Sequence, residues 1–243
     1  MSRQGRYNHL SKLAARKAEF TTVVLHEVST SLAAIRGSTE VLGTEELVRP
    51  EHEVALATIQ AEARILTNLV TDLQTAMTAE HDDFLVRPCP VQVGTLLADA
   101  AAFARTLSGC HPVTATVTHD TVVCADPPRI GQVLRNLVCN AAKYSQPGAA
   151  IELCAAPVCG RIRIEVVDQG IGIDSADMPH IFNKFRRGRD QSSRTVTGAG
   201  VGLYLSRRII KAHGAELSVK SVPGNGSTFA FELEVIDDSG ARS

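Results

Sequence analysis

The chain has 243 residues, 44% of them hydrophobic and 21% charged, with a formal net charge of −1. That length supports one large core or two modest ones, and the near-neutral balance gives no reason to expect nucleic acid or an anionic membrane as the main partner. No apolar run reaches the ~20 residues that span a bilayer, and the opening MSRQGRYNHLSK lacks the apolar centre of a secretory signal, so the expectation is a cytoplasmic protein with no membrane segment.

The first 80 residues read as helix. Leu10, Leu13, Lys17, Phe20, Val24, Val28, Leu32 and Ile35 step by three or four, with Lys17 the polar exception. That is a narrow seam of the kind two helices bury between them. The pattern fades near Gly43, and the stretch to Glu51, with Pro50, reads as a connection. A second run follows at Val54, Ile59, Ala63, Leu66, Val70, Leu73 and Met77. Helices of about 30 residues are roughly 45 Å long. One hairpin of two cannot cover both seams, which predicts pairing with a second copy in a dimeric four-helix bundle. His26 falls about 200° round the helix from the Val24 seam position and is expected to be exposed. Glu27 is adjacent to it, and Thr30 lies one turn on along the same side. His9, His52 and His81 read as ordinary surface histidines.

From about His81 the period changes. Pro88 and Pro90 punctuate a linker. Short β-type runs then alternate with helices. The runs 113–117, 122–125, 151–155, 162–167, 217–219 and 229–235 predict strands, and 96–106, 128–143 and 201–213 predict helices. This is an α+β sandwich, a mixed sheet with helices over one face. The six cysteines (Cys89, Cys110, Cys124, Cys139, Cys154, Cys159) show no C-x-x-C spacing and read as reduced, half-buried thiols.

Four short motifs punctuate this second half. In Asn136-Leu-Val-Cys-Asn140-Ala-Ala-Lys143-Tyr144 the two amides are one helical turn apart, with Lys143 close to their face. Such a face can hold hydrated Mg²⁺ and phosphate oxygens, though alone it also fits a polar, solvent-facing helix. Asp168-Gln-Gly170-Ile-Gly172 closes an apolar strand with a carboxylate suited to an exocyclic amine such as adenine N6, and its glycines let backbone approach a flat ring. An Asp-Gly turn is the plainer alternative. The polar stretch from Phe182 to Gly198 carries Lys184, Arg186, Arg187, Arg189 and Arg194 and reads as a mobile lid, anchored by Phe182 and Phe185. Gly198-Ala-Gly200-Val-Gly202-Leu203 opens a helix, an arrangement that favours a polyphosphate. Gly224-Asn-Gly226-Ser-Thr228-Phe229 places Thr228 at a strand start, with its hydroxyl directed to the base or a bridging water. Each motif is weak alone. All four in this order supply different parts of one ATP site.

The region from about Val91 to Val235 resembles the catalytic ATP-binding domain of sensor histidine kinases, a branch of the fold shared with gyrase, Hsp90 and MutL (the Bergerat or GHKL type). The four motifs look like its N, G1, G2 and G3 boxes, and the run from Phe182 to Arg187 like its F box. The resemblance implies that Asn140 binds Mg²⁺, that Asn136 and Lys143 help hold metal and phosphates, and that Tyr144 lines the adenine pocket. It also implies that Asp168 recognises adenine and Arg187 contacts the γ-phosphate.

The segment from Phe20 to Gly37 looks like the H box of the dimerisation and phosphotransfer domain. The implied layout is phosphotransfer at 1–85, ATP binding at 86–236 and a tail at 237–243. His26 would attack the γ-phosphate, Glu27 would hold its Nδ1–H, and the phosphoryl group would pass to an aspartate of a response-regulator receiver domain. Thr30, in an H-E-x-x-T pattern, implies dephosphorylation of that regulator as well. The chain departs from the family where it has Leu25 before the histidine and Val28-Ser29-Thr30-Ser31 after the glutamate, in place of Leu-Arg-Thr-Pro. The alternative reading is an ATP-binding adaptor or degenerate kinase that binds a receiver domain without efficient self-phosphorylation. A homodimer is expected either way, driven by a separate sensor protein or forming the core of a longer chain.

Overall fold

The computed structural model describes residues 25, 28–43, 49–78, 86–107, 111–184 and 201–236. The chain falls into two compact units, parted chiefly between Met77 and Thr78.

The first unit is helical. Helix α1 covers residues 28–42 without a break, and α2 covers Arg49–Thr78. The sequence pattern placed Pro50 and Glu51 in a connection, whereas they form the first turn of α2. Proline has no N–H to lose there, because the first turn has no intrahelical acceptor for it. Large apolar side chains stand open on both helices: Leu32 is 52% exposed, Val54 66%, Ile65 49% and Val70 50%.

The second unit is a sheet under helices. Strand β1 (Cys89–Gln92) pairs antiparallel with β3 (Val122–Ala125) in a small two-stranded sheet. Pro90, expected in a linker, belongs to β1, a strand with a single neighbour. Proline is tolerated on such an edge. Helix α3 (Val93–Ala104) follows directly, its start held by Asp120, which accepts the Gly94 N–H at 2.8 Å. Strand β2 (Val113–Val117) runs parallel to β4 (Ile151–Val158), while β4, β5 (Arg161–Asp168), β7 (Ser227–Glu234) and β6 (Ser218–Ser221) are antiparallel neighbours. The five-stranded order is β2-β4-β5-β7-β6. Cys159 and Gly160, with φ of 48° and 78°, turn β4 into β5. Positive φ at both central residues matches the right-handed twist of a two-residue hairpin.

Two further helices cover one face. Helix α4 (Pro127–Tyr144) buries Ile130, Val133, Leu134, Leu137, Val138 and Ala141, a stripe with steps of three and four. Helix α5 (Gly202–Ala212) buries Leu205, Ser206, Ile209 and Ile210. Beneath them, Ile162, Ile164 and Val166 of β5 and Phe229, Phe231 and Leu233 of β7 point the same way and join one core. The expected mixed sheet with helices over one face is the observed fold.

Candidate functional site

Strand alternation makes the site. The period that buries Ile162, Ile164 and Val166 carries on to Asp168 and sets a carboxylate on the helix-covered face at the end of β5. Asp168 is 7% exposed. Its Oδ1 accepts the N–H of Gly170 at 2.9 Å and of Ser227 at 3.1 Å. Both bonds go to Oδ1, and among the described residues none goes to Oδ2. Burial pushes the carboxyl pKa up, and the two backbone N–H donors oppose that without cancelling it.

The two glycine motifs of this end interlock. Gly226 has φ of 81°, and a Cβ there would collide with the carbonyl oxygen of Asp168. Gly172 has φ of 69°, and a Cβ there would collide with the carbonyl oxygen of Val222. Gly224 N–H donates to the Ile171 carbonyl at 2.8 Å. A serine pair completes the corner. Ser221 Oγ accepts the Ile173 N–H at 2.8 Å and donates to the Gly226 carbonyl at 2.9 Å. Its only proton is then used, so the 3.0 Å contact with Ser227 Oγ has Ser227 as donor.

The end of α4 meets the same corner. Ser145 bridges to Gly170, and Ile171 N–H donates to the Tyr144 carbonyl at 3.1 Å. A Cβ on Gly170 would stand 2.6 Å from that carbonyl oxygen and 2.8 Å from Asp168 Oδ1. The Tyr144 carbonyl and the Asp168 carboxylate therefore flank one glycine. Asn140, half-buried, lies one turn back along α4, and Lys143 is exposed in its last turn.

Two expected contacts differ. Asn136, expected at metal and phosphate, points to α5: its Nδ2 donates to Ser206 Oγ at 2.9 Å, and its Oδ1 abuts Gly202 so closely that a Cβ there would collide with it. It clamps α4 to the start of α5. Thr228, expected at the base, pairs with Val167 and so lies on the sheet face away from Asp168. Ser227, 8% exposed, occupies the Asp168 face instead. Alternation from Phe229 and Phe231 back to Ser227 was the signal that could have found it. Nothing in the spacing singled out Ser206 or Ser221.

Leu203 packs against the core, and Phe182 does so too, with the Arg207 guanidinium 5.3 Å from its ring centre. Thr30 is exposed on α1. His26, Glu27, Phe185, Arg187, Gly198 and Gly200 lie outside the described residues. Among the described residues no disulfide joins the cysteines. Among the described residues no helix is long and apolar enough to cross a membrane.

A mixed sheet carrying a buried strand-end aspartate, with glycine-rich turns on both sides, defines a nucleotide-binding domain. Residues 125–236 match the family described as histidine kinase-, DNA gyrase B- and HSP90-like ATPase. Residues 16–81 match the His Kinase A (phospho-acceptor) domain. Curated relatives include the sensor protein GacS of Pseudomonas syringae, 32% identical over 90% of this chain and 25% of its own length. The probable sensor histidine kinase TcrY of Mycobacterium tuberculosis is 31% identical over 91% of this chain and 48% of its own. ArcB of Escherichia coli, an aerobic respiration control sensor, is 30% identical over 96% and 32%. The chain thus spans between a quarter and a half of the length of these relatives. Among solved structures, full-length ShkA in complex with AMPPNP shares the fold with a TM-score of 0.60 at 23% identity, over 90% of this chain and 46% of that one. The Acinetobacter baumannii kinase AdeS does so with 0.58 at 20%, over 87% and 98%. The chain carries the core of the sensor histidine kinases, a phospho-acceptor domain joined to an ATP-binding domain.

Proposed function

We propose that the chain is an ATP-dependent protein-histidine kinase that phosphorylates its own His26 and passes the phosphoryl group to an aspartate of a response-regulator receiver domain. Asp168 carries this reading. Its ligand-facing Oδ2 is an acceptor, which suits the donating N6 amine of adenine and repels the O6 carbonyl of guanine. Tyr144 and the backbone freed by Gly170 and Gly172 line the ring. The N–H groups opening α5, which Gly202 begins and Gly198 and Gly200 precede, hold the phosphates with Lys143 and Arg187. Asn136 and Leu203 act at one remove, by fixing the start of α5.

The donor set fits a magnesium ion that arrives with the nucleotide. Asn140 offers one hard amide oxygen, and among the described residues no group of three or more His, Cys, Asp or Glu could hold an ion by itself. Bound at Asn140 and the phosphates, Mg²⁺ would neutralise charge on the β- and γ-phosphate oxygens. His26 needs a free Nε2 lone pair. Glu27 supplies it by accepting the Nδ1–H bond, which fixes the tautomer and holds that proton as the ring gains charge. The Nε2–P bond forms as the bond from phosphorus to the β,γ-bridging oxygen breaks, and ADP leaves. Thr30, one turn away, orients the water that later removes phosphate from the regulator.

The domain reading places dimerisation and phosphotransfer in 1–85 and ATP binding in 86–236, with 237–243 a tail. The open apolar side chains of α1 and α2 support a homodimer built on four helices. A cytoplasmic setting supplies both ATP and the receiver domain. Incubation with [γ-³²P]ATP tests the reading. Wild type should gain acid-labile label and His26→Gln none. ATP binding without label in the wild type would favour the adaptor instead.

A further inference from the structure

Asp126 stands where three segments meet. Its Oδ2 accepts the backbone N–H of Arg87 at 2.9 Å, in the stretch that leads into β1. Its Oδ1 accepts the N–H of Arg129 in the first turn of α4 at 3.2 Å. Its own N–H donates to Nε2 of His213 at 3.0 Å. The other ring nitrogen of His213, Nδ1, lies 2.8 Å from the Ile209 carbonyl oxygen. A carbonyl only accepts, so Nδ1 carries the proton and Nε2 the lone pair. Both partners demand the same tautomer, a neutral imidazole tied between the end of α5 and the start of α4.

Helix α5 is therefore pinned to α4 at two places. Asn136 holds its first turns through Ser206, and Asp126 holds its end through His213. Contacts climb α4 as they descend α5, so the two helices run antiparallel. Asp126 and Asn136 are about 15 Å apart along α4 at ~1.5 Å per residue, which puts Asp126 at the far end of the helix from Tyr144. Asp126 is 8% exposed, so losing a partner there leaves a polar group with little water to replace it.

We propose that Asp126 and His213 are positioning residues that fasten the entry segment, residues 86–88, to the helix pair framing the nucleotide site. The chain arriving from the phospho-acceptor domain is then fixed to the same two helices that hold ATP. Because Asn136 and Ser206 hold the start of α5 independently, breaking this junction leaves the pocket built and frees the entry segment. The consequence for rate rests on the kinase reading; the junction itself does not.

Hydrogen exchange measured by mass spectrometry on the full chain tests it, in wild type, His213→Ala, His213→Gln and Asp126→Asn. Glutamine can set Oε1 where Nε2 accepts. Asparagine has one acceptor oxygen for two amides. The Arg87 amide should exchange about five- to tenfold faster in His213→Ala and Asp126→Asn, the size of one lost hydrogen bond. It should return to within about twofold of wild type in His213→Gln. Affinity for a fluorescent ATP analogue should stay within about twofold throughout, while the His26 labelling rate falls in step with Arg87 protection. Unchanged exchange at Arg87 in the alanine and asparagine variants overturns the proposal, as does a glutamine variant that folds but behaves like alanine. ATP affinity falling in proportion to rate also overturns it, since the pair would then be part of the pocket. If His213→Ala does not fold, the glutamine and Asp126→Asn variants decide. A wild type that never labels defeats the kinase reading, and the exchange comparison still decides the junction.

Discussion

Asp168→Asn and Asp168→Ala separate what one carboxylate does for the ligand from what it does for the fold. Oδ1 takes two backbone N–H groups in a site 7% exposed. Alanine strands both, at ~1–3 kcal/mol each before relaxation. A net loss of about 2 kcal/mol lowers the melting temperature of a domain this size by roughly 4–8 °C. Asparagine with its oxygen in the Oδ1 place keeps both bonds and removes the cost of burying a charge. That cost is real, because burial pushes the Asp168 pKa up despite the two donors. A folded-state pKa above the unfolded value means the folded protein binds the proton more readily. The favourable contribution is present below the unfolded pKa and is lost as pH rises through the folded pKa. At pH 7 the ionised carboxylate therefore burdens the ligand-free protein. Asparagine should melt no lower than wild type at pH 7, with any advantage shrinking toward about pH 4. For the ligand the order reverses. The asparagine NH₂ faces the adenine NH₂, donor against donor, and a charge-assisted bond of ~1.5–3 kcal/mol is lost, so affinity should fall at least tenfold or so. Thermal melts with and without an ATP analogue, plus a fluorescence titration, read both effects. An asparagine variant that melts as low as alanine, or either variant binding the analogue like wild type, refutes the reasoning.

Asn140→Ala should abolish Mg·ATP-dependent labelling while leaving analogue binding in EDTA within about threefold, and equal losses in both would remove it from the metal. Thr228→Val should leave ATP affinity unchanged, whereas Ser227→Val, facing Asp168, should weaken it more than tenfold or so; the opposite ranking in a titration would reverse the face assignment. Light scattering should find a dimer for the full chain at micromolar concentration and an ATP-binding monomer for the fragment beginning at Pro88. Ser31→Pro should bend α1 at a cost of ~3 kcal/mol and change the ratio of kinase to phosphatase rates. An unchanged ratio with a demonstrably bent helix would show that bending is not the switch.

The six strands predicted from β-branched runs all formed, because each run is short and bounded by turn residues, and burial of one face leaves little choice of register. Strand β1 was invisible, since Pro88 and Pro90 signal a break. Its pairing with β3 depends on a partner thirty-odd residues on, which no local window contains. Pro50 misled in the same way: proline marks an end in sequence, and only the helix itself shows whether it is the first turn or the last. Asp168 was legible because a carboxylate ending an apolar strand conflicts with its surroundings, and such conflicts gather at functional positions. Asn136 was read as a ligand-facing amide because Asn140 shares its face. That face is shared with α5, and a helical wheel does not reveal a neighbour that arrives 70 residues later.

The glycine pairs illustrate how a motif can signal function while acting first on assembly. Gly226 sits against the Asp168 carbonyl, Gly172 against the Val222 carbonyl, and Gly224 donates to Ile171. Each contact joins the end of β5 to the turn between β6 and β7, a glycine of one segment lying against backbone of the other. A side chain at 172 or 226 would meet both a positive φ and a collision. The damage would come before any nucleotide binds, through displacement of Asp168 and Ser227. The ordered spacing of these glycines in the chain therefore records the requirement that two distant turns close onto one aspartate. In the proposed kinase, that closure is what would direct Asp168 to adenine, because Oδ1 is spent on backbone and Oδ2 is left for the base.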